Sequence, residues 1–177
     1  FRVALVGYTN AGKSTLFNSL TGNNVYVKNQ LFATLDTTVR KLKLNKKHQA
    51  LISDTVGFIR KLPHNLVASF KSTLKELLEA NHILIVLDAS SKIIDEHLET
   101  ISQVLNELGA NEIPKSYIFN KIDLVEDEND IKKLKSNDSN AILTSALHHL
   151  RLDDDKNHLI EKIESEFNVF DLIISYE

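Results

Sequence analysis

Two glycines, a lysine and a serine stand at fixed spacing in GYTNAGKS, residues 7–14. The segment follows an apolar run and precedes residues with helical spacing, so it fits a loop that joins a strand to a helix. Backbone N–H groups of such a loop converge on phosphate oxygens, and the helix N-terminus adds partial positive charge. The pattern therefore predicts a phosphate-binding loop, in which Lys13 neutralises the β- and γ-phosphates and the Ser14 hydroxyl coordinates Mg²⁺.

A carboxylate and a glycine follow a second strand-like run, in DTVG at residues 54–57. Asp54 is expected to hold the same Mg²⁺ through a water molecule. The Gly57 N–H is expected to contact the γ-phosphate, which would let this loop sense whether that phosphate is present.

The segment NKID, residues 120–123, ends another predicted strand, where ligands of open α/β sheets bind. The Asp123 carboxylate can accept the ring N1–H and the exocyclic amino group of guanine together. Adenine presents an acceptor at N1, and leaving the carboxylate unsatisfied costs at least about 1–3 kcal/mol, so guanine is favoured. Asn120 is expected to tie this segment to the phosphate loop, and the Lys121 stem to cover the base. The backbone N–H of Ala146 is expected near the base oxygen.

These motifs assign twenty residues to the nucleotide. They are Gly7, Tyr8, Thr9, Asn10, Ala11, Gly12, Lys13, Ser14, Thr15, Asp54, Thr55, Val56, Gly57, Asn120, Lys121, Ile122, Asp123, Thr144, Ser145 and Ala146.

Strand-like and helix-like segments alternate along the chain. Strands are predicted at 1–6, 39–44, 50–52, 82–88, 116–119 and 141–144, and helices at 13–20, 63–80, 95–108, 128–135 and 153–167. This alternation predicts an α/β fold, a three-layer P-loop NTPase of the Ras-like G-domain type. Its sheet would be six-stranded and mostly parallel, with helices on both faces. The acidic clusters at 126–130 and 153–155 are expected to be exposed.

Composition limits the other function classes. The chain of 177 residues fits one domain, and its lack of cysteine excludes a disulfide framework and suits a cytoplasmic protein. The net charge of −3 argues against a general nucleic-acid binder, although a specific RNA or ribosome contact by a small basic patch or by a missing domain stays open. No apolar run is long enough to cross a membrane. The seven histidines show no metal-binding spacing.

The long segments GYTNAGKSTLFN (7–18), LFATLDTT (31–38), DTVGFIRKLPHNLV (54–67) and FNKIDLV (119–125) resemble the G domain of HflX. HflX is a ribosome-associated GTPase related to the Obg and Era families. The resemblance implies action on the large ribosomal subunit, including rescue or splitting of stalled ribosomes. It also implies that residues 1–167 form the G domain and that 168–177 lead out of it. An N-terminal domain of the parent protein, which makes key ribosome contacts in the family, is expected to be absent, so this piece alone should bind GTP but not split ribosomes. The isolated piece is expected to be monomeric.

The same resemblance implies a first switch at Phe32, Ala33, Thr34, Leu35 and Asp36. Thr34 would bind Mg²⁺ and the γ-phosphate, with Thr37 and Thr38 as alternatives for that role. Relatives usually carry a proline where this chain has Thr37.

Two positions bear on the rate of hydrolysis. Many GTPases place a glutamine after D-x-x-G to orient the attacking water, whereas this chain has Phe58. Slow hydrolysis, accelerated by a partner, is therefore expected. An asparagine at the place of Asn10 ligates a potassium ion in related families, or else Asn10 serves only the loop's own hydrogen bonds. The catalytic candidates are thus Lys13, Thr34, Gly57 and Asn10.

Two other functions remain as alternatives. The first is a nucleotide-gated interaction module with negligible catalysis, which Phe58 favours. The second is a P-loop ATPase or small-molecule kinase, against which the guanine-reading segment argues.

Overall fold

The computed structural model describes residues 1–22, 38–55, 76–137 and 141–166. Within these ranges the strands are β1 (Arg2–Gly7), β2 (Thr38–Lys43), β3 (Gln49–Asp54), β4 (His82–Asp88), β5 (Lys115–Asn120) and β6 (Ile142–Leu143). The helices are α1 (Lys13–Thr21), α2 (Ile94–Glu107), α3 (Glu128–Asn137) and α4 (Leu152–Glu166), with a short 3-10 helix at Ile122–Leu124. Residues 76–78 are also helical and belong to the end of the helix predicted at 63–80.

The six strands form one sheet in the order β2-β3-β1-β4-β5-β6. β1 pairs in parallel with both β3 and β4, and β5 pairs in parallel with β4 and β6. Only β2 is antiparallel, in a hairpin with β3 that places Thr38 opposite Asp54. The predicted fold is confirmed. Because β1, β3 and β5 run the same way, their carboxyl ends bring the three predicted motifs to one edge of the sheet.

Apolar side chains cover both faces of the sheet. Leu16, Phe17 and Leu159 join the core on one face, where α1 and α4 pack, and Ile101 and Leu105 of α2 join the core on the other. β4 lies between the two cores, and its residues from His82 to Leu87 are all buried. A strand buried on both faces reads as a continuous apolar run, as HILIVLD does.

One acidic residue departs from the prediction of exposure. The side chain of Asp153 is 92% exposed, whereas Asp155 is only 1% exposed. Asp155 lies on the same face of α4 as Leu152 and Leu159, at helical spacing, so it is turned toward the sheet. The prediction of exposure for 153–155 is wrong at Asp155, because residues three and four apart share one face of a helix whereas adjacent residues do not.

None of the helices in the described ranges is long and apolar enough to cross a membrane. Within the same ranges, no group of three or more His, Asp or Glu side chains is arranged to hold a metal ion.

Candidate nucleotide site

The predicted phosphate loop joins β1 to α1 and is shaped by two glycines. A Cβ at Gly7 would lie 2.3 Å from the Val86 carbonyl oxygen, so only glycine allows β1 and β4 to approach this closely. Gly12 has φ +92°, and a Cβ there would lie 2.2 Å from Asn120 Nδ2. The loop closes through a hydrogen bond from the Ala11 N–H to the Tyr8 carbonyl, 3.2 Å long. Its backbone thus leads into the N-terminus of α1, the part of a helix that attracts anions.

Lys13 places a buried cation inside this loop. Its Nζ donates to the carbonyl oxygens of Gly7 and Tyr8, at 3.2 and 3.1 Å. Burial lowers the pKa of Lys13 to about 8, and the charge of Asp54 acts in the opposite direction. The amine is therefore mostly protonated at neutral pH. Neutral carbonyls hold it weakly compared with phosphate oxygens, which form stronger charge-assisted bonds.

Ser14 and Asp54 form an oxygen pair beside the loop. The Ser14 hydroxyl donates to Asp54 Oδ2 at 2.5 Å, across 40 residues of sequence. Asp54 is fully buried at the end of β3, and the next residue, Thr55, donates its hydroxyl to the Leu5 carbonyl at 2.5 Å. Hydroxyl and carboxylate oxygens are the ligands that Mg²⁺ prefers, so this pair fits a magnesium site.

Asn120 connects three separate segments with its side chain. Its Nδ2 donates to the Ala11 carbonyl at 3.0 Å, and its Oδ1 accepts the Ala146 N–H at 2.9 Å. The side chain is buried, with 2% exposure. The phosphate loop, the base-reading segment and the loop after β6 are therefore one hydrogen-bonded unit. The Ala146 N–H was expected near the base oxygen, and in this structure it donates to Asn120 Oδ1.

Lys121 and Asp88 form an ion pair at the ends of β5 and β4. Lys121 Nζ lies 2.6 Å from Asp88 Oδ2. Burial alone would raise the pKa of Asp88, but the bonds from Lys121 and Ser90 outweigh it and hold that pKa below its ordinary value. The pair fixes the direction of the Lys121 stem, the part predicted to cover the base. Asp88 is a participant that the motifs did not include.

Asp123 faces His148 from the loop after β6. His148 Nε2 lies 3.5 Å from Asp123 Oδ2, and the Asp123 side chain is 17% exposed. The loop is closed by reciprocal backbone hydrogen bonds between Ser145 and Leu150, at 3.1 and 3.0 Å. It contains no glycine, and His149 takes the left-handed conformation with φ 54°. The shape of this turn, and not a recognisable motif, brings His148 to Asp123.

A stacked ring pair joins the phosphate loop to α2. The rings of Tyr8 and His97 lie 4.1 Å apart and are inclined by 16°. On the opposite side, the Ser19 hydroxyl of α1 donates to the Ala146 carbonyl at 2.7 Å. Both contacts join residues 89 or more positions apart in sequence, so no local sequence pattern predicts them.

Outside the described residues lie Phe32, Ala33, Thr34, Leu35, Asp36, Thr37, Val56, Gly57 and Phe58. Of the alternatives for Thr34, only Thr38 is described, and it begins β2.

A sequence model of the family described as 50S ribosome-binding GTPase matches residues 2–121. The chain is 49% identical over 164 residues to a GTPase HflX of Caldanaerobacter subterraneus, covering 93% of this chain and 36% of the relative. The GTPase HflX of Escherichia coli is 49% identical over 145 residues, covering 81% and 34%. The chain thus spans about a third of the length of these relatives.

Solved structures share the fold. A GTP-binding protein of Sulfolobus solfataricus in complex with GDP has a TM-score of 0.74 and 25% identity, covering 94% of this chain and 53% of that one. The NFeoB of S. thermophilus bound to GDP·AlF4⁻ and K⁺ has a TM-score of 0.69 and 27% identity, covering 92% and 61%.

Proposed function

The chain belongs to the 50S ribosome-binding GTPase family, and from this premise we propose that it is a slow GTP-hydrolysing switch activated by the large ribosomal subunit. Its relatives in the family are named GTPase HflX, and as GTPase domains they hydrolyse GTP to GDP and phosphate. The ribosomal partner and the low intrinsic rate are the parts that we propose.

One observation supports a nucleotide as the ligand: the Asn120 side chain bonds to the phosphate loop and to the loop after β6 at once. A ligand that fills both ends of this unit needs phosphates at one end and a base at the other. At the base end, Asp123 offers two acceptor oxygens on one side chain, which complement guanine and repel adenine. An ATPase or kinase is disfavoured for the same reason.

The residues divide the chemistry of hydrolysis among them. Lys13 would neutralise charge on the β- and γ-phosphates, and the N-terminus of α1 would add its partial charge. Ser14 directly, and Asp54 through water, would hold Mg²⁺, which when bound neutralises phosphate charge as the bond to the γ-phosphorus breaks. Water attacks the γ-phosphorus, and the β-phosphate leaves as part of GDP. Because Phe58 cannot orient that water, hydrolysis is slow until a partner orders the site.

Asn10 is the residue through which a potassium ion would act. In support, an S. thermophilus protein with this fold was solved with K⁺ beside GDP·AlF4⁻. Asn10 also has a backbone role, because its φ of 63° is left-handed and asparagine tolerates this conformation. Asn10→Gly separates the two, since glycine keeps the backbone and removes the amide.

The test is the rate of GTP hydrolysis with and without intact large ribosomal subunits, in potassium and in sodium buffer. We expect at least tenfold stimulation by subunits, and a potassium preference that Asn10→Gly removes without changing GDP affinity. A rate on subunits equal to the rate alone would support the interaction module with negligible catalysis. Equal rates in the two salts would leave Asn10 with its loop role only.

A further inference from the structure

The hairpin of β2 and β3 concentrates positive charge in an acidic chain. Between Asp36 and Asp54 the sequence has no acidic residue and five basic ones. The remainder holds sixteen basic against 24 acidic residues, a net charge of −8. We call these five residues the basic hairpin: Arg40, Lys41, Lys43, Lys46 and Lys47.

All five side chains of the basic hairpin are exposed. Within the part of the chain that the structure describes, no carboxylate lies within 4.0 Å of any of them. Many other cations are paired: Arg2 with Glu76, Lys121 with Asp88, and Arg151 with Asp154. Within the described residues, the charge of the basic hairpin is therefore not balanced by acidic side chains.

The fold holds these charges in a fixed array. β2 lies at the edge of the sheet, and Leu42 and Leu44 are buried while Lys41 and Lys43 point to solvent. The turn is held by Asn45, whose Oδ1 accepts the N–H groups of Lys47 and His48 at 2.8 and 2.7 Å. The cations are therefore carried by a rigid hairpin.

The chemistry of the surface identifies the partner. The large exposed apolar residues in the described ranges are Leu78, Ile93, Leu124, Leu147 and Leu150, and none belongs to the hairpin. Protein interfaces and membrane surfaces need apolar or aromatic anchors, and single-stranded nucleic acid needs stacking rings. Cations without such anchors match a phosphate backbone, whose contacts give affinity and carry no sequence information.

We propose that the basic hairpin binds the phosphate backbone of structured RNA. The proposal rests on the proposed function, since ribosomal RNA is the RNA that a large-subunit partner would present. The turn of the hairpin lies at the opposite end of β3 from Asp54, so RNA and nucleotide can be held together.

The test compares two pairs of lysines, each pair being neighbours in sequence and exposed. Lys46→Gln/Lys47→Gln changes the hairpin, and Lys132→Gln/Lys133→Gln makes the same charge change on α3. The probe is a labelled 20-base-pair RNA duplex, titrated over a range of salt concentrations, with intact large subunits as a second arm. We expect the hairpin variant to bind the duplex about tenfold or more weakly at 0.1 M salt. Its slope of log K against log salt should be smaller by about 1.5, with the α3 variant close to wild type.

Three outcomes would overturn the proposal: no duplex binding by the wild type, equal losses in both variants, or no loss in the hairpin variant. GDP affinity is measured on the same samples. If the hairpin variant keeps both its GDP affinity and its RNA affinity, RNA binding by the basic hairpin is refuted and the nucleotide function is unaffected. A wild type that fails to bind GDP would refute the proposed function itself.

Discussion

Gly12 and Gly22 are both left-handed, with φ of +92° and +69°, but they differ in surroundings. A side chain at Gly12 meets Asn120 Nδ2, while one at Gly22 meets nothing within 4 Å. We therefore expect Gly12→Ala to displace the Asn120 side chain and to weaken GDP binding more than tenfold. Gly22→Ala should cost roughly 1–2 kcal/mol of stability through backbone strain and leave GDP affinity intact.

Isothermal titration with GDP and thermal unfolding of both variants measure this difference. Equal GDP affinity in the two would show that the contact between Gly12 and Asn120 does not matter for the site.

β4, β5 and α4 share a buried polar cluster. Ser116 Oγ lies 2.8 Å from His82 Nε2 and 2.7 Å from His158 Nε2. A hydroxyl has one proton, so it donates to one imidazole and accepts from the N–H of the other. Burial lowers the pKa of His82 to about 4, aided by the charges of His158 and Lys162.

The pKa of Asp155 is shifted in the opposite direction to the pKa of His82. Burial raises the pKa of Asp155 to about 7. Neither carboxylate oxygen has a hydrogen-bond partner in the structure, because the nearby Thr144 hydroxyl donates to the Leu150 carbonyl at 2.8 Å. The folded carboxyl keeps its proton up to about pH 7 and the unfolded one only to 3.8, so Asp155 adds stability as pH falls through this window. His82 removes stability as pH falls from 6.5 toward 4.

These opposed effects predict a weak dependence of stability on pH between 4 and 6.5 in the wild type. Asp155→Asn removes the cost of a buried charge, so this variant should be more stable than wild type at pH 8. It should also lose stability on acidification, because only the His82 contribution remains. Urea unfolding at pH 5 and 8 measures both effects, with the exposed Asp153→Asn as control. An Asp155→Asn variant that is less stable at pH 8 would contradict the account.

Much of the structure at this scale follows from local pattern. HILIVLD specifies β4 because an unbroken apolar run suits a strand buried on both faces. The end of β1 at Gly7 and the start of α1 follow from the spacing of glycine, lysine and serine. The contacts among His82, Ser116 and His158 do not, because they join positions 34 and 42 residues apart. Local pattern also does not predict the contacts of Tyr8 with His97 and of Asp123 with His148, because these contacts depend on how the elements pack.

The chain spans about a third of the length of its HflX relatives. Motif order along the sequence sufficed to predict that three loops meet at one edge of a parallel sheet. The charge distribution required the fold as well, since only the structure shows that the basic hairpin is exposed and unmatched within the described residues.

Asp123 is expected to read guanine, and the nucleotide preference of an Asp123 variant decides whether it does. GDP and XDP affinities are compared for the wild type, Asp123→Asn and the exposed control Asp130→Asn. Asparagine cannot accept both guanine donors but can donate to the xanthine oxygen, so Asp123→Asn should lose GDP affinity at least tenfold and gain affinity for XDP. Unchanged GDP preference in Asp123→Asn, with the control also unchanged, would contradict the account.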